Sequence, residues 1–277
     1  MRKNLQKHYG KGGPGKTIIL VFYFILLFIP IYWMLNTSFK SNTEIQGMLT
    51  LFPAQVTGRN YLKIFTDPLW VRSFIQTIGY VVINVVMVLA AAIPAAYAFS
   101  RLRFRGQQHL FFWLLTNRMA PGAAFLIPMF TLFSTLGLFD TMIAVSLAHC
   151  LFNLPLAIWI LEGFMRGIPS QIDETAFIDG YSFPRFFWKI FVPLIKQGVG
   201  VTAFFCFMFS WVELLLSRTL TSVGVKPVTV ALTRSLGAGG WDYGVIAAAG
   251  VLTMIPGAVV VYFVRNYIVK GFAMGRV

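Results

Sequence analysis

Six stretches of this 277-residue chain are apolar over the length of a bilayer crossing: 18–35, 74–99, 110–133, 142–161, 199–216 and 245–264. A helix needs about 20 mostly apolar residues to span the hydrocarbon core. Hydrophobic residues make up 57% of the chain and charged ones 12%, with a mean hydropathy of +0.74, which excludes an ordinary soluble domain. The expectation is an all-α polytopic membrane protein with six transmembrane helices, so that both termini lie on one side.

Lysine and arginine choose the side, because basic loops near span ends stay cytoplasmic. One set of loops carries fifteen basic residues and the opposite set seven, with Arg118 alone inside an apolar stretch. Both termini and the long loop at 166–197 are therefore expected in the cytoplasm. Residues 1–17 read as a basic cytoplasmic segment, 18–265 as the transmembrane domain and 266–277 as a cytoplasmic tail. The net charge of +14 does not argue for nucleic acid, since the charges flank spans and form no stripe outside them. Anionic lipid headgroups are the expected counterpart. The first apolar run is too long for a secretory signal and no small-x-small pattern follows, so it reads as a retained span. Cys150 and Cys206 fall inside spans and read as packed thiols, not a disulfide.

Gly10-Lys11-Gly12-Gly13-Pro14-Gly15-Lys16-Thr17 satisfies the spacing of a phosphate-cradling loop. Such a loop must follow a buried strand and open a soluble helix. Here polar residues precede it and a span follows, so it reads as a basic membrane anchor. No metal-binding or nucleophile motif is present and His8, His109 and His149 are scattered, so nothing points to an enzyme or a metal site. His149, with no carboxylate near it in sequence, reads as a hydrogen-bonded core residue.

The polar block between spans four and five has a readable local structure. Ser170 and Asp173 have the spacing of a capping box, predicting a helix that runs to about Ile178. Gly180 supplies positive φ at low cost and turns the chain. Ser182 and Pro184 then open a second helix leading to Pro193. Glu174 and Ile178 share one face of the first helix and Ile172 and Ala176 another, which leaves open the face that would meet a partner. A hairpin lying passively on the bilayer would need no fixed spacing in this block.

The run Glu174-Thr175-Ala176, three residues, Gly180, nine residues, Ile190-Phe191-Val192-Pro193 resembles the E-A-A-x3-G-x9-I-x-L-P signature of bacterial ABC importer permeases. The departures are Thr175 for Ala and Val192 for Leu. Further segments carry the resemblance toward the carbohydrate-uptake, MalG-like branch, from about residue 74 to 275. They include Ala98-Phe99-Ser100-Arg101, Gly137-Leu138-Phe139-Asp140-Thr141, Leu154-Pro155, Trp241-Asp242-Tyr243-Gly244 and Ile255-Pro256. The resemblance implies the type I importer permease fold in a bacterial inner membrane. It also implies a heterodimer with a second permease, two ATPase subunits that hold the ATP and magnesium, and an extracytoplasmic solute-binding protein. No cofactor is implied on this chain. The coupling residues it implies are Glu174, Thr175, Ala176, Ile178, Asp179, Gly180, Phe183, Ile190 and Pro193. Where the family has Trp-Asn-Glu/Asp near the end of span five, this chain has Trp211-Val212-Glu213.

Thr116-Asn117-Arg118 followed by Pro121-Gly122 interrupts span three, exposing backbone and burying a charge where both are costly unless a path or protein lines them. Asn117, Arg118, Asn153, Trp211 and Glu213 are the candidate pathway residues, for a sugar or a polyol such as glycerol or its phosphate. The alternative is an ion-coupled carrier or channel, which calls for inverted repeats or a relay of intramembrane acids.

Overall fold

In the computed structural model, residues 14–47, 49–234 and 242–274 are described, and their regular structure is all helical, with no strand among them. Four helices are long and apolar enough to cross a membrane singly, and two bent pairs bring the number of candidate spans to as many as six. The four are α1 (Pro14–Ser38), α4 (Pro68–Arg101), α7 (Met142–Arg166) and α14 (Tyr243–Met274). All run beyond the apolar stretches, and α14 continues as helix through positions expected to be tail. The glycine-rich segment at 10–17 lies outside the described residues up to residue 13, and from Pro14 it is the start of α1.

The chain divides into two compact units. The first comprises residues 1–67 and 235–254. Within it lie α1, the short α2 (Asn42–Gln46) and α3 (Arg59–Thr66), and the first turns of α14. Asn60 Nδ2 ties these together by donating to the carbonyls of Ser38 (2.8 Å) and Lys40 (2.9 Å), closing the end of α1 over α3. Gly244 is required at its position, because a Cβ there would lie 2.5 Å from Asn60 Nδ2. Asp242 caps α14, accepting from Val245 N–H, and receives Lys63 Nζ at 2.7 Å and Asn42 Nδ2 at 3.0 Å. Burial alone would raise its carboxyl, but these donors hold it below the usual range.

The second unit, residues 68–234 and 255–277, is built on α4, α7 and α11 (Lys196–Val212). Asn84 of α4 joins all three helices. Its Oδ1 accepts from Asn153 Nδ2 and Ser210 Oγ, both at 2.8 Å, and its Nδ2 donates to Ser146 O at 2.8 Å. Close approach of α7 and α11 depends on Gly198, where a Cβ would lie 2.7 Å from Phe164 Cγ.

Spans three and five are not single helices. In span three, α5 (Gln107–Asn117) ends, a 3-10 turn (Gly122–Phe125) follows, and α6 (Leu126–Thr135) leaves at 96° to α5. Pro121, which has no N–H to give a helical ladder, sits in the break. In span five the bent pair is Phe183–Leu194 with α11, at 75°, and the apolar stretch 199–216 is further cut at Val212, with α12 (Leu215–Thr219) restarting after Glu213 and Leu214. The cause is Glu213, whose carboxylate takes the N–H groups of Leu216 and Ser217 as a side-chain cap. Before α11 come α8 (Gln171–Ile178), α9 (Phe183–Phe186), a π-helical turn (Phe187–Phe191) and α10 (Val192–Leu194). After α12 comes α13 (Val228–Arg234), and α14 from Ile255 onward belongs to the same unit.

At the end of α7 away from α8, Asp140 takes φ of 62° and its carboxylate accepts four backbone N–H groups, from Ser222, Val223, Gly224 and Val225, at 2.6 to 3.0 Å. Burial would raise this carboxyl, and the four donors together hold it low. The stabilisation from Asp140 is therefore complete above the ordinary carboxylate range and disappears as pH falls through the depressed folded value. In melts of the purified protein across acid pH, Asp140→Asn should lower the midpoint near neutrality and shrink the difference from the parent as pH falls. Gly198→Val should lower stability by about 1–3 kcal/mol through overpacking against Phe164, read as a drop in thermal midpoint in detergent.

Candidate functional site

The hairpin between α7 and α11 follows from three local facts. Gln171–Ile178 forms α8 as its sequence suggests. Gly180 then takes φ of +80°, and a Cβ there would meet nothing within 4 Å, so the constraint on this residue is backbone conformation and not space. The Gly180 and Tyr181 N–H groups return to the Phe177 and Ala176 carbonyls, satisfying the end of the helix.

The predicted capping box is absent. Ser170 has helical φ and ψ of −65° and −22° and makes no side-chain cap bond. Asp173 faces inward, 6% exposed, because stronger donors claim it: Arg101 Nε at 2.8 Å and Tyr97 Oη at 3.2 Å, both on Oδ2. Ala176 is buried beside it at 6%, whereas Ile178 is 85% exposed and Glu174, Thr175 and Asp179 are exposed too. Within this chain the geometry separates the two faces. The face of Asp173 and Ala176 meets this chain, and the face of Glu174 and Ile178 is free of it.

The second arm packs on the same place. Tyr97 makes edge contacts with Phe183, Phe187 and Phe191, with ring centroids 5.5, 5.3 and 4.9 Å away. At about 0.5–1.5 kcal/mol for each aromatic pair, this cluster rivals a buried ion pair as an anchor. Ile190 and Val192 pack against that core, and Pro193 is exposed in α10. The sequence reading missed Tyr97, Arg101 and Asp173 as anchors. Arg101 lay in a segment that carried the resemblance, but only the fold brings it to Asp173.

The five pathway candidates separate. Asn153, at 2% exposure, is engaged in the three-helix polar tie, and Trp211, at 3%, lies in the apolar core beside Phe207. Both are buried within this chain. Asn117 and Arg118 are partly exposed at the break of span three. Asn117 Nδ2 donates to Leu151 O at 3.3 Å and Arg118 Nη1 to Phe152 O at 2.8 Å. Leu151 is four residues before Pro155, so its carbonyl has lost its helical donor. The polar pair at the break supplies donors to the proline-loosened turn of α7. The Arg118 guanidinium also lies 4.2 Å over the Phe209 ring, joining the break of span three to α11.

Glu213 is half-buried and meets His149 Nε2 at 3.1 Å and Ser217 Oγ at 3.0 Å. His149 therefore has a carboxylate neighbour, contrary to the expectation from sequence, because 64 residues of chain separate two groups that α7 and α11 bring side by side. Val212 is 59% exposed, pointing away from this cluster. Among the described residues no group of three or more histidine, cysteine or acidic side chains is placed to hold a metal.

Residues 89–273 match the family described as the binding-protein-dependent transport system inner membrane component. The chain belongs to this family. The permease is 33% identical over 252 residues to the trehalose transport system permease protein of Mycobacterium tuberculosis, covering 90% of this chain and 92% of that one. It is 27% identical to a diacetylchitobiose uptake system permease protein of Streptomyces coelicolor, covering 97% and 98% of the two chains. Its fold matches a chain of a bacterial ABC transporter involved in import of the acidic polysaccharide alginate, with a TM-score of 0.79 at 23% identity over 92% of this chain and 95% of that one. It is a carbohydrate-type ABC importer permease subunit rather than an enzyme.

The two faces of α8 in this permease give a direct check. With Cys150 and Cys206 replaced by Ala, a cysteine introduced by Ile178→Cys should react readily with a water-soluble maleimide in the isolated subunit. One introduced by Ala176→Cys should react at least about ten-fold more slowly, as expected of a buried thiol.

Proposed function

We propose that this permease carries a sugar or a polyol, glycerol and glycerol phosphate included, and that its 166–197 loop receives the stroke of the ATPase subunits. The observation that carries the reading is the free face of α8. Glu174 and the 85%-exposed Ile178 stand outward on a helix whose other face is fixed to the body. A charged residue beside an exposed apolar one suits a groove on a protein partner, as in helix-in-groove recognition. Thr175, Asp179, Gly180 and Phe183 hold or shape that face, and Ile190 and Pro193 carry the second arm into α11.

In this reading the protein sits in a bacterial inner membrane with both termini and the loop in the cytoplasm. Residues 18–265 form the transmembrane domain. It pairs with a second permease, two ATPase subunits and an extracytoplasmic solute-binding protein. ATP and magnesium are bound by the ATPases, which supply the chemistry. ATP binding favours one arrangement of the motor pair, and α8 passes that preference to the spans, shifting the balance of outward-facing and inward-facing states. The relatives named for trehalose and diacetylchitobiose support a polyhydroxylated solute. Asn117, Arg118 and Glu213, at the breaks of spans three and five, are the pathway residues that keep partial exposure.

Gly180→Asp should cost about 1–2 kcal/mol locally through the left-handed backbone, misorienting α8 without touching the spans. Glu174→Arg reverses the charge on the free face. In the complex reconstituted with its ATPases and binding protein, both variants should insert normally, lose solute uptake and release ATP hydrolysis from solute control. Normal uptake by both would remove the coupling assignment.

A further inference from the structure

We infer that Arg101 is a positioning residue that makes the last turn of α4 the recipient of the motion of α8. This rests on the proposed coupling role of the 166–197 loop. By chain connectivity, α8 is linked only to α7 and α9, so a push on it would reach α7 and α11. Helix α4 has no covalent link to the hairpin, yet both arms converge on its last turn.

Arg101 makes the convergence. Its Nε donates to Asp173 Oδ2 at 2.8 Å and its Nη2 to Ile168 O at 2.8 Å, in the connection between α7 and α8. The same guanidinium lies 5.3 Å over the ring of Phe191 in the second arm. The Arg101 and Asp173 side chains are 11% and 8% exposed, so the pair is shielded from the screening that makes surface ion pairs weak. Tyr97, one turn earlier, donates to the same Oδ2, while Asp173 Oδ1 has no partner among the described residues. Both donors on one oxygen make a pivot instead of a two-pronged clamp. Helix α8 can rotate about that atom but cannot slide away from α4. A stroke at the free face is delivered to α4 as translation, and α4 carries Asn84, which binds α7 and α11 deeper in the bundle, and Tyr80, whose carbonyl accepts from Ser146 of α7.

The test uses the whole complex in proteoliposomes. Arg101→Met with Asp173→Leu replaces the buried pair by apolar groups of similar bulk, which commonly leaves stability intact. We expect the ATPases to co-purify with this variant, while uptake and the solute stimulation of ATP hydrolysis each fall about ten-fold, within the range that residues along a coupling route produce. The charge-swapped Arg101→Asp/Asp173→Arg pair should recover uptake relative to either single reversal. Parental uptake by the apolar pair overturns the inference. Loss of assembly in both the apolar and the swapped pair also overturns it, making the contact a folding element only. If Glu174→Arg and Gly180→Asp uncouple while the apolar pair transports normally, the pivot alone is wrong. If those two also transport normally, the coupling reading of the loop falls with it.

Discussion

The hydrogen bonds of Asn84 are the constraint on which the second unit depends. In a bilayer, association of helices gains nothing from removing apolar surface from water, because lipid is as apolar as leucine. Packing and interhelical polar contacts must then decide which faces meet. Asn84 accepts from α7 and α11 and donates back to α7. Each such bond is worth only about 0.6 kcal/mol in a membrane, so the tie contributes little raw stability. Its effect is on uniqueness, since rotating any one of the three helices would strand buried amide groups at about 1–3 kcal/mol apiece.

A three-helix body fixed in this way can support two differently built ends. At one end an aromatic cluster around Tyr97 holds a hairpin whose free face is charged and apolar. At the other, Asp140 gathers four backbone N–H groups and sets the course of the loop after α12. Between them the helices are interrupted where polar groups can be satisfied. Pro155 frees the Leu151 carbonyl and Asn117 meets it, while Glu213 ends one helical segment and caps the next. The breaks in spans three and five are thus supported from inside the protein, which is the condition for irregular backbone at membrane depth.

How much of this was legible in the sequence depended on the range of the interaction. The helices of spans one, two, four and six, the turn at Gly180 and the extent of α8 follow from apolar length and backbone preference, and the structure has them there. Ser170 and Asp173 show where local rules stop. Their spacing fits a capping box, but Arg101 lies 72 residues away and offers Asp173 a charged donor that a serine cap cannot rival. His149 and Glu213 are a second case, 64 residues apart in the string and adjacent only once α7 and α11 pack. Asn153 and Trp211 looked like cavity residues because polarity and aromaticity within a span suggest a lined path. They turned out to face neighbouring helices, and a single span carries no record of which way it is turned.

The segments that carry the family resemblance explain why the class of this protein was readable while its solute was not. Arg101, Asp140 and Asp242 each lie in such a segment, and each is a joint: to α8, to the loop after α12, and to α3 through Lys63. Gly244, beside Asp242, is kept small by Asn60, and Pro155 loosens the turn that receives Asn117. These side chains are engaged with their own chain and have little left to offer a ligand. A fold that gains nothing from the hydrophobic effect between its helices depends on joints of this kind, whatever solute it moves. Val212, 59% exposed, lies by contrast outside these joints, at a position where this chain departs from the family pattern. Resemblance therefore reports the scaffold, and selectivity has to be sought at the residues that the scaffold leaves free.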